Sequence, residues 1–125
     1  MNTVTVVDSE HGFRFGGYTI PSKLRGDTRP PEKNGIIFSL TKKSIHRQFE
    51  IAGWVYYSMS NNICCFFDFT IGENCDTQNS SDCNFGTFFS TPSGIQAKSP
   101  EAREYLTGSK NWQFKVKEVE IFIVH

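Results

Sequence analysis

Residues 3–19 read TVTVVDSEHGFRFGGYT, a stretch that predicts a β-hairpin. Thr3–Val7 is a run of β-branched residues, which lose rotamer freedom in a helix and suit a pleated, half-buried surface. Residues 8–12 tolerate turn geometry, and in Phe13–Thr19 the first aromatic residues alternate with Arg14 in a period-2 pattern. We therefore expect two antiparallel strands joined by a loop of about four or five residues.

The composition extends this expectation to the whole chain. Among 125 residues there are only three leucines, against 17 isoleucines and valines, 12 phenylalanines and 10 threonines. Leucine is usually among the commonest residues, and a helical bundle would need leucine and alanine at helical spacing. The counts therefore favour an all-β or mostly β domain.

Further strand-like segments follow along the chain. Pro21–Asn34 is interpreted as a surface loop, because proline cannot donate to a β-ladder. The most apolar segment, Ile63–Ile71, predicts one central strand covered on both faces, with Asp68 near a solvent-exposed end. The remaining predicted strands are Ile36–Leu40, Gln48–Tyr57 and Phe85–Phe89, joined by a polar turn at Thr41–His46 and an acidic loop at Gly72–Asn84.

One short helix is predicted near the end of the chain. Ser99 can accept hydrogen bonds from free first-turn N–H groups, Pro100 suits the first helical position, and Glu101 favours the positive end of the helix dipole. We expect the helix to run to about Leu106 and to stop at Gly108.

The closing stretch, Trp112–Val124, predicts a strand with an irregularity. Its apolar residues are even-numbered as far as Val116 and odd-numbered from Val119 onward, so a straight strand would send the two sets to opposite faces. One extra residue near Lys117–Glu118 would bring both sets to one face, so we expect a β-bulge there. The alternative is a straight strand that is buried on one face at each end.

These elements predict a single domain that covers residues 1–125. Strands without regular helical crossovers favour antiparallel pairing. The expected fold is mostly β, a two-layer antiparallel β-sandwich with one or two short helices. A length of 125 residues fits one domain of this kind.

Charge and hydropathy argue against several classes of function. Lys and Arg number 13, as do Asp and Glu, so the chain lacks the basic excess of a general nucleic-acid binder. The longest apolar run, Ile63–Phe67, has five residues, whereas a membrane-spanning helix needs about 20. Residues 1–3 begin no secretory signal. We therefore expect a cytoplasmic protein with no nucleic-acid partner and no membrane span.

The sequence contains no recognisable catalytic motif. The nucleophile elbow G-x-S-x-G, the phosphate-binding P-loop and the dinucleotide motif G-x-G-x-x-G are all absent from it. The histidines, His11, His46 and His125, are isolated from one another in sequence. We expect no enzymatic activity, no cofactor and no metal.

The four cysteines leave three interpretations open. Cys64 and Cys65 are adjacent and would point to opposite faces of a strand, and no C-x-x-C pair is present. Reduced thiols suit a cytosolic protein. A bridge between Cys75 and Cys83 under oxidation is the second interpretation, and a zinc site is the third.

The acidic loop also allows two interpretations. It is either a solvated loop or a set of oxygen ligands suited to calcium, although it lacks the residue order of an EF-hand. The residues concerned are Glu73, Asn74, Asp76, Asn79 and Asp82.

The charges are unevenly distributed along the chain. Residues 1–50 carry eight basic and five acidic groups, whereas residues 51–100 carry one basic and four acidic groups. This is either scatter among surface loops or a sign of two oppositely charged faces that steer a protein partner. In the second case a basic patch for an acidic partner combines Lys23, Arg25 and Arg29 with Lys42, Lys43 and Arg47.

The order of several short segments resembles the TLDc domain family. FGGYT at Phe15–Thr19 resembles the family's F-G-G-[YF]-[TA] strand, and IFSL at Ile37–Leu40 is similar to its F-[LI]-F-[SR]-L strand. TIGE at Thr70–Glu73 resembles a degenerate I-G-[GF]-G turn, and CNFGT at Cys83–Thr87 resembles C-x-T-[FY]-[GN]. FKVKEVEIF at Phe114–Phe122 resembles the closing F-x-[VI]-x-x-[LV]-E-[VL]-[FW] strand.

The resemblance implies a β-sandwich without a catalytic mechanism. Family members are associated with resistance to oxidative stress, and several bind the vacuolar proton-pumping ATPase (V-ATPase). Gly16, Gly17 and the final strand carry over as structural positions only. The family domain has a further segment before its first matching strand, so the chain resembles a short, divergent member or the C-terminal part of one. An edge or face left open in this way suggests self-association into a homo-oligomer.

The sequence therefore predicts a non-enzymatic, TLDc-like protein-interaction module. Its expected partner is a protein, with V-ATPase subunits, vesicle traffic or oxidative-stress resistance as the implied setting. The alternative is a ligand- or carbohydrate-binding, lectin-like sandwich, for which Trp54, Tyr56 and Tyr57 are the candidate aromatic residues. A small enzyme is a third hypothesis, for which no residue spacing argues.

Overall fold

The computed structural model describes residues 2–19, 35–49, 56–57, 62–65 and 68–124. These ranges form ten strands and one helix: β1 (Asn2–Ser9), β2 (Arg14–Thr19), β3 (Ile36–Ser39), β4 (Ser44–Arg47), β5 (Tyr56–Tyr57), β6 (Asn62–Cys65), β7 (Phe69–Gly72), β8 (Ser81–Cys83), α1 (Pro100–Thr107), β9 (Gln113–Phe114) and β10 (Val116–Val124). The predicted fold class is confirmed, because the strands form two antiparallel sheets accompanied by one short helix.

The two sheets contain five strands each. The first sheet has the order β10-β1-β2-β3-β4, and the second sheet has the order β5-β6-β7-β8-β9. They share one apolar core, in which the ring of Phe15 from the first sheet meets Phe69 edge-on at 5.2 Å and Phe114 at 6.0 Å from the second. The face of the first sheet that carries Phe15 is called the inner face below, and its opposite side is called the outer face.

The predicted hairpin forms in the expected place. β1 pairs antiparallel with β2, with Val7 opposite Phe15 and Asp8 opposite Arg14. Residues 10–12 make the turn, where Gly12 has a φ of 79°, a left-handed conformation that suits glycine. Val7 and Phe15 are fully buried, so this pair anchors the hairpin in the core.

The predicted helix is confirmed at both ends. Ser99 accepts a hydrogen bond from the Ala102 N–H at 3.1 Å, and Pro100 opens the helix. Gly108 closes it in the left-handed conformation, and its N–H donates to the Glu104 carbonyl at 2.9 Å. A side chain at Gly108 would meet His11 and Phe13, so the helix end packs directly against the β1–β2 turn.

The predicted bulge is confirmed, but the closing stretch forms two strands instead of one. Phe114 belongs to the second sheet and Val116 to the first, and both are buried in the core between the sheets. In the pairing of β1 with β10, Asp8 lies opposite Glu118 and Ser9 lies opposite Val116, which leaves Lys117 as the extra residue. The chain therefore crosses from the second sheet to the first at residue 115. At Lys117 the alternation of side chains shifts by one residue, so that the inward-facing residues are even-numbered up to Val116 and odd-numbered from Val119 onward.

The prediction of one strand over Ile63–Ile71 is wrong. The segment contains β6 and β7, which pair antiparallel with Cys65 opposite Thr70. Asp68 immediately precedes β7 and is completely buried, so its expected place near solvent is also wrong. The physical reason is that Asp68 has backbone N–H partners from a distant loop, which compensate for the burial of a carboxyl group.

Three other boundaries differ from the sequence-based prediction. The turn predicted at Thr41–His46 is shorter, because β4 begins at Ser44 and pairs with β3. The loop predicted at Gly72–Asn84 contains β8. Phe85–Phe89 was expected to be a strand, but it forms turns apart from one bridge between Phe89 and Gln48.

Part of the expected organisation lies outside the described residues. This holds for the whole of the predicted loop at Pro21–Asn34 and for residues 50–55 of the strand predicted at Gln48–Tyr57. Among the described residues, the helix is too short and too polar to cross a membrane.

A deletion and an insertion test the role of the bulge. Lys117 is the residue left out of the pairing, so its deletion lets Val116 and Glu118 lie opposite Ser9 and Asp8 as consecutive residues and leaves the later side chains of β10 on their present faces. An alanine inserted between Glu118 and Val119 instead sends Val119 to the outer face and Glu120 to the inner face, because a shift by one residue exchanges the two sides of a strand. We expect the insertion to lower the free energy of unfolding by about 2 kcal/mol or more, whereas the deletion of Lys117 should change it by about 1 kcal/mol at most. Urea unfolding measures both, and equal stability of the two variants would contradict this role.

Candidate functional site

The outer face of the first sheet is organised in three cross-strand rows. Residues directly opposite each other in antiparallel strands point to the same side, so the pairing register defines each row. The first row is Arg47, Ile36, Tyr18, Val4 and Phe122. The second row is Ile45, Phe38, Gly16, Val6 and Glu120. The third row contains Leu40, Arg14, Asp8 and Glu118, with Lys43 at its β4 end.

β1 places Val4 and Val6 outward and Thr3 and Thr5 inward. Val4 and Val6 lie on the outer face, whereas Thr5 on the inner face is completely buried. The Thr5 Oγ1 atom has no hydrogen-bond partner within the described part of the chain. An antiparallel sheet with one solvated side normally shows the opposite distribution, polar outward and apolar inward. The outer face is therefore unusually apolar for a surface exposed to water.

An open groove of about 490 Å³ runs across the half of this face nearest β4. Ile45 is 64% exposed and Leu40 is 50% exposed, so the groove presents large apolar side chains to solvent. Contiguous apolar surface of this kind marks interaction sites. The groove is lined by Val4, Tyr18, Ile36, Phe38, Ser39, Leu40, Lys43, Ser44 and Ile45.

Gly16 sits at the middle of the outer face for a steric reason. A Cβ atom built on Gly16 would come within 2.8 Å of the Phe38 ring and would also collide with the Thr5 carbonyl. The Phe38 ring therefore lies across the glycine, and no larger residue fits beneath it. This contact gives the first glycine of the FGGYT segment a structural role.

The half of the face nearest β10 is acidic. A cleft of about 280 Å³ there is lined by Asp8, Arg14, Glu118 and Glu120 among others, a set with three carboxylates and one guanidinium. Arg14 donates to Asp8 through Nε at 2.6 Å and Nη2 at 3.2 Å, and this hydrogen bonding raises the Arg14 pKa. Glu118 lies directly opposite Asp8 in the register, so the acidic groups outnumber their basic neighbour at this border.

The other border of the face is basic. Lys43 lines the groove, and Arg47 lies opposite Ile36 in the first row. Lys42 is turned towards the opposite side, because its Nζ lies over the rings of Phe13 at 5.4 Å and Tyr105 at 5.7 Å. The structure therefore brings Lys43 and Arg47 to one surface and separates Lys42 from them.

The other members of the predicted basic patch cannot be placed. Lys23, Arg25 and Arg29 lie outside the described residues, so their contribution to partner binding stays a prediction. The same is true of the aromatic residues proposed for a carbohydrate site. Trp54 lies outside the described residues, and only the backbone of Tyr56 and Tyr57 is described.

Ser44 and His46 lie on the inner side of β4, within hydrogen-bond distance of each other. From the sequence, His46 is predicted to be an isolated histidine. The His46 ring nitrogens lie 2.9 Å from the Ser90 carbonyl through Nδ1 and 2.8 Å from Ser44 Oγ through Nε2. A carbonyl can only accept, so Nδ1 carries the proton and the Ser44 hydroxyl donates to Nε2. Tyr105 in turn donates to Ser44 Oγ at 2.8 Å.

The Ser44–His46 pair resembles a catalytic serine hydrogen-bonded to its histidine base, but its other contacts indicate a structural role. The Ser44 hydroxyl already accepts from Tyr105 and donates to His46, and the His46 ring packs edge-on against Phe85 at 4.9 Å and Tyr105 at 5.7 Å. His46 is 5% exposed, and its burial lowers its pKa, which favours the neutral ring. In the sequence, Ser44 and His46 are two residues apart, a spacing that places two side chains on the same side of a strand. The predicted turn at Thr41–His46 hides this signal.

Asp68 holds the loop that covers the edge of β4. Its carboxylate accepts hydrogen bonds from the backbone N–H groups of Gly86 at 2.9 Å, Phe88 at 2.8 Å and Phe89 at 3.2 Å. The same loop pairs with the β4 edge, since the Ser90 N–H donates to the Arg47 carbonyl at 3.0 Å. Desolvation raises the pKa of Asp68 to about 6, against the effect of these donors.

Two of the four cysteines, Cys75 and Cys83, are free thiols in the structure. Cys75 and Cys83 are both buried, and burial raises both pKa values, that of Cys83 to about 12. A thiol with so high a pKa carries almost no thiolate, the reactive form, at neutral pH.

In the acidic loop, Ser80 donates to the Glu73 carbonyl at 2.6 Å, and Glu73 and Asp76 are exposed. No group of three metal-ligating side chains occurs within the ranges that the structure describes.

Comparisons with protein-family models, curated proteins and solved structures gave no match for this chain.

The pH dependence of stability tests the burial of Asp68. Its pKa is raised from 3.8 to about 6 in the folded state, so the folded protein binds more protons between these values, and the resulting stability is present below pH 3.8 and is lost as pH rises through 6. Two pKa units correspond to about 3 kcal/mol. The difference in unfolding free energy between the native chain and Asp68→Asn should fall by about that amount from pH 4 to pH 7.

The Asp68→Asn comparison has a matched control variant and a result that would contradict it. Asp76 is exposed, so Asp76→Asn should give a nearly constant difference over the same pH range. His46 has a lowered pKa, which acts in the opposite direction, and it is present in every variant and so cancels in the difference. Urea unfolding at several pH values gives the result, and a difference for Asp68→Asn that does not change with pH would contradict the assignment.

Proposed function

We propose that the chain is a non-enzymatic protein-interaction domain that binds its partner through the outer face of the first sheet. The observation that carries the proposal is the distribution of side chains on this face, apolar at the centre, basic at the β4 border and acidic at the β10 border. An apolar centre supplies most of the affinity at protein interfaces, and bordering charges select and orient the partner.

The chemistry beneath the face supports a binding role over catalysis. The Ser44–His46 pair is tied to Tyr105 and to the Ser90 carbonyl, and both of its members use their hydrogen-bonding atoms within the protein. Such a network rigidifies β4 and so fixes the shape of the groove above it. A rigid surface loses little conformational entropy on binding.

The resemblance to the TLDc family extends the proposal to a partner class. We take the peripheral, cytoplasmic subunits of the V-ATPase as the candidate partner, with vesicle traffic or oxidative-stress resistance as the setting. The support is the order of the five similar segments, of which the first lies in β2 and the last, apart from Phe114 and Lys115, lies in β10 of this sheet. The cytoplasmic location belongs to the same proposal.

Substitution of Ile45 tests the contact surface. Ile45 is the most exposed large apolar residue of the groove, so Ile45→Asp would place a carboxylate in the apolar groove at the β4 side of the interface, at little cost to the fold. We expect the affinity for purified peripheral V-ATPase subunits, measured by biolayer interferometry, to fall at least about tenfold.

Ile121→Asp is the matched control for Ile45→Asp. Ile121 is also an exposed isoleucine of the first sheet, but it lies opposite Thr5 and so on the inner side of β10. It should leave the affinity within about twofold. Equal losses for the two variants would contradict the proposed surface, and absence of binding by the native chain would remove the V-ATPase as partner.

A further inference from the structure

We infer that the outer face binds a second copy of this chain, as a two-fold dimer in which the β4 border of each protomer lies over the β10 border of the other. The inference rests on the proposed function, because it names an occupant for the same face. It draws on one property of that face, the opposite sign of its two charged borders.

The three rows determine how two copies fit. A two-fold axis that lies in the interface and runs along β2 exchanges β4 with β10 and β3 with β1 while it keeps each row at its own level. Val6 of one protomer then packs on Phe38 of the other, and Val4 packs on Ile36. The apolar centres of the two faces therefore cover each other.

The same operation brings unlike charges together at both borders. On the axis it places Arg14 opposite its own copy, where the two hydrogen bonds to Asp8 offset the charge of each guanidinium. Lys43 of one protomer lies over Glu118 of its partner, and Arg47 lies one row from Glu120, within reach of its long side chain. Because the axis is a two-fold, each of these contacts occurs twice. Self-complementarity of this kind requires that one border be basic and the other acidic, as they are here.

The alternative two-fold arrangement is electrostatically unfavourable. An axis in the interface but perpendicular to the strands would place β4 over β4 and β10 over β10, so that the carboxylates of Glu118 and Glu120 would face those of the partner's β10 border. Like charges opposite each other oppose association and select against such a pairing. The charge pattern therefore distinguishes between two arrangements that bury the same apolar centre.

The size of the face sets the expected strength of the dimer. Five strands spaced by about 4.8 Å make it roughly 20 Å wide. The three rows span about 14 Å along the strands, so the face is smaller than the roughly 800 Å² per partner of a standard specific interface, and the dimer that it forms is weak and reversible. We expect a dissociation constant in the micromolar range that increases with salt, and a dimer that must open before another protein can use the same face.

Sedimentation equilibrium of the purified chain tests the dimer. The native chain should show a reversible monomer–dimer equilibrium. The double variant Lys43→Glu/Arg47→Glu makes both borders acidic, and the double variant Glu118→Lys/Glu120→Lys makes both borders basic. Each variant alone should dimerise at least about tenfold more weakly, whereas an equimolar mixture of the two should form a heterodimer, because acidic then meets basic at both borders.

A charge-matched control separates these contacts from a general effect of net charge. Lys98 and Lys110 are exposed lysines that flank α1, so Lys98→Glu/Lys110→Glu changes the net charge as much as Lys43→Glu/Arg47→Glu does. It should leave the dissociation constant within about twofold of the native value. Circular dichroism of every variant establishes that the fold is retained.

Three outcomes would overturn the inference. They are a native chain that is monomeric throughout the micromolar range, a dimer that Lys43→Glu/Arg47→Glu does not weaken, and failure of the two reversed variants to associate when mixed. None of these outcomes bears on the proposed function by itself. That function stands or falls on whether Ile45→Asp weakens binding to a different protein.

Discussion

The bulge at Lys117 determines which side chains of the last strand face outward, and the composition of the outer face depends on it. With the bulge in place, Glu118, Glu120 and Phe122 lie beside Asp8, Val6 and Val4, whereas Val119 lies beside the buried Val7. Because strand side chains alternate with a period of exactly two residues, a register without the bulge would exchange the two sets. The acidic border therefore exists because one residue is left out of the pairing.

The bulge also reconciles the two sheets. The chain leaves the second sheet at Phe114 and enters the first at Val116, so both side chains fill the shared core within three residues. In β1, the pairing of Val7 with Phe15 already determines which side chains face the core. Strand β10 pairs with β1, so its apolar and acidic residues must follow the same alternation of inward and outward side chains. The one-residue shift at Lys117 makes these two requirements compatible.

At the other side of the first sheet, the buried polar groups close an edge that would otherwise be open. Asp68 fixes the loop of Gly86 to Phe89, and the next residue, Ser90, bonds both the β4 backbone and His46. An open edge invites pairing with another chain. With β4 covered in this way, association through the outer face is favoured over extension of the sheet at β4.

How far the sequence predicts this structure depends on the distance over which each signal acts. The hairpin, the helix caps and the bulge follow from residues within a few positions of each other, and all were correctly predicted. Asp68 was misplaced, because the N–H groups that satisfy it lie 18 to 21 residues further along the chain and backbone donors leave no trace in a sequence. Only the partner donors make burial of a carboxylate tolerable.

The orientation of β1 could not be foreseen for a different reason. Threonine and valine alternate from Thr3 to Val6, both are β-branched, and either set suits a buried face. The decision comes from long-range pairing, since Val7 must join Phe15 and the latter must reach Phe69. The apolar character of the outer face, and with it the candidate site, therefore appears only once the strands are paired.

The most direct test of the account is to ask whether the outer face is covered in solution. Isoleucine δ1-methyl NMR spectra of the native chain, recorded over a dilution series, report on Ile36 and Ile45 on the outer face and on Ile71 and Ile121 elsewhere. The account predicts concentration-dependent shifts at Ile36 and Ile45, with Ile71 and Ile121 unchanged. Shifts confined to Ile121, or no shift at any of the four residues, would contradict it.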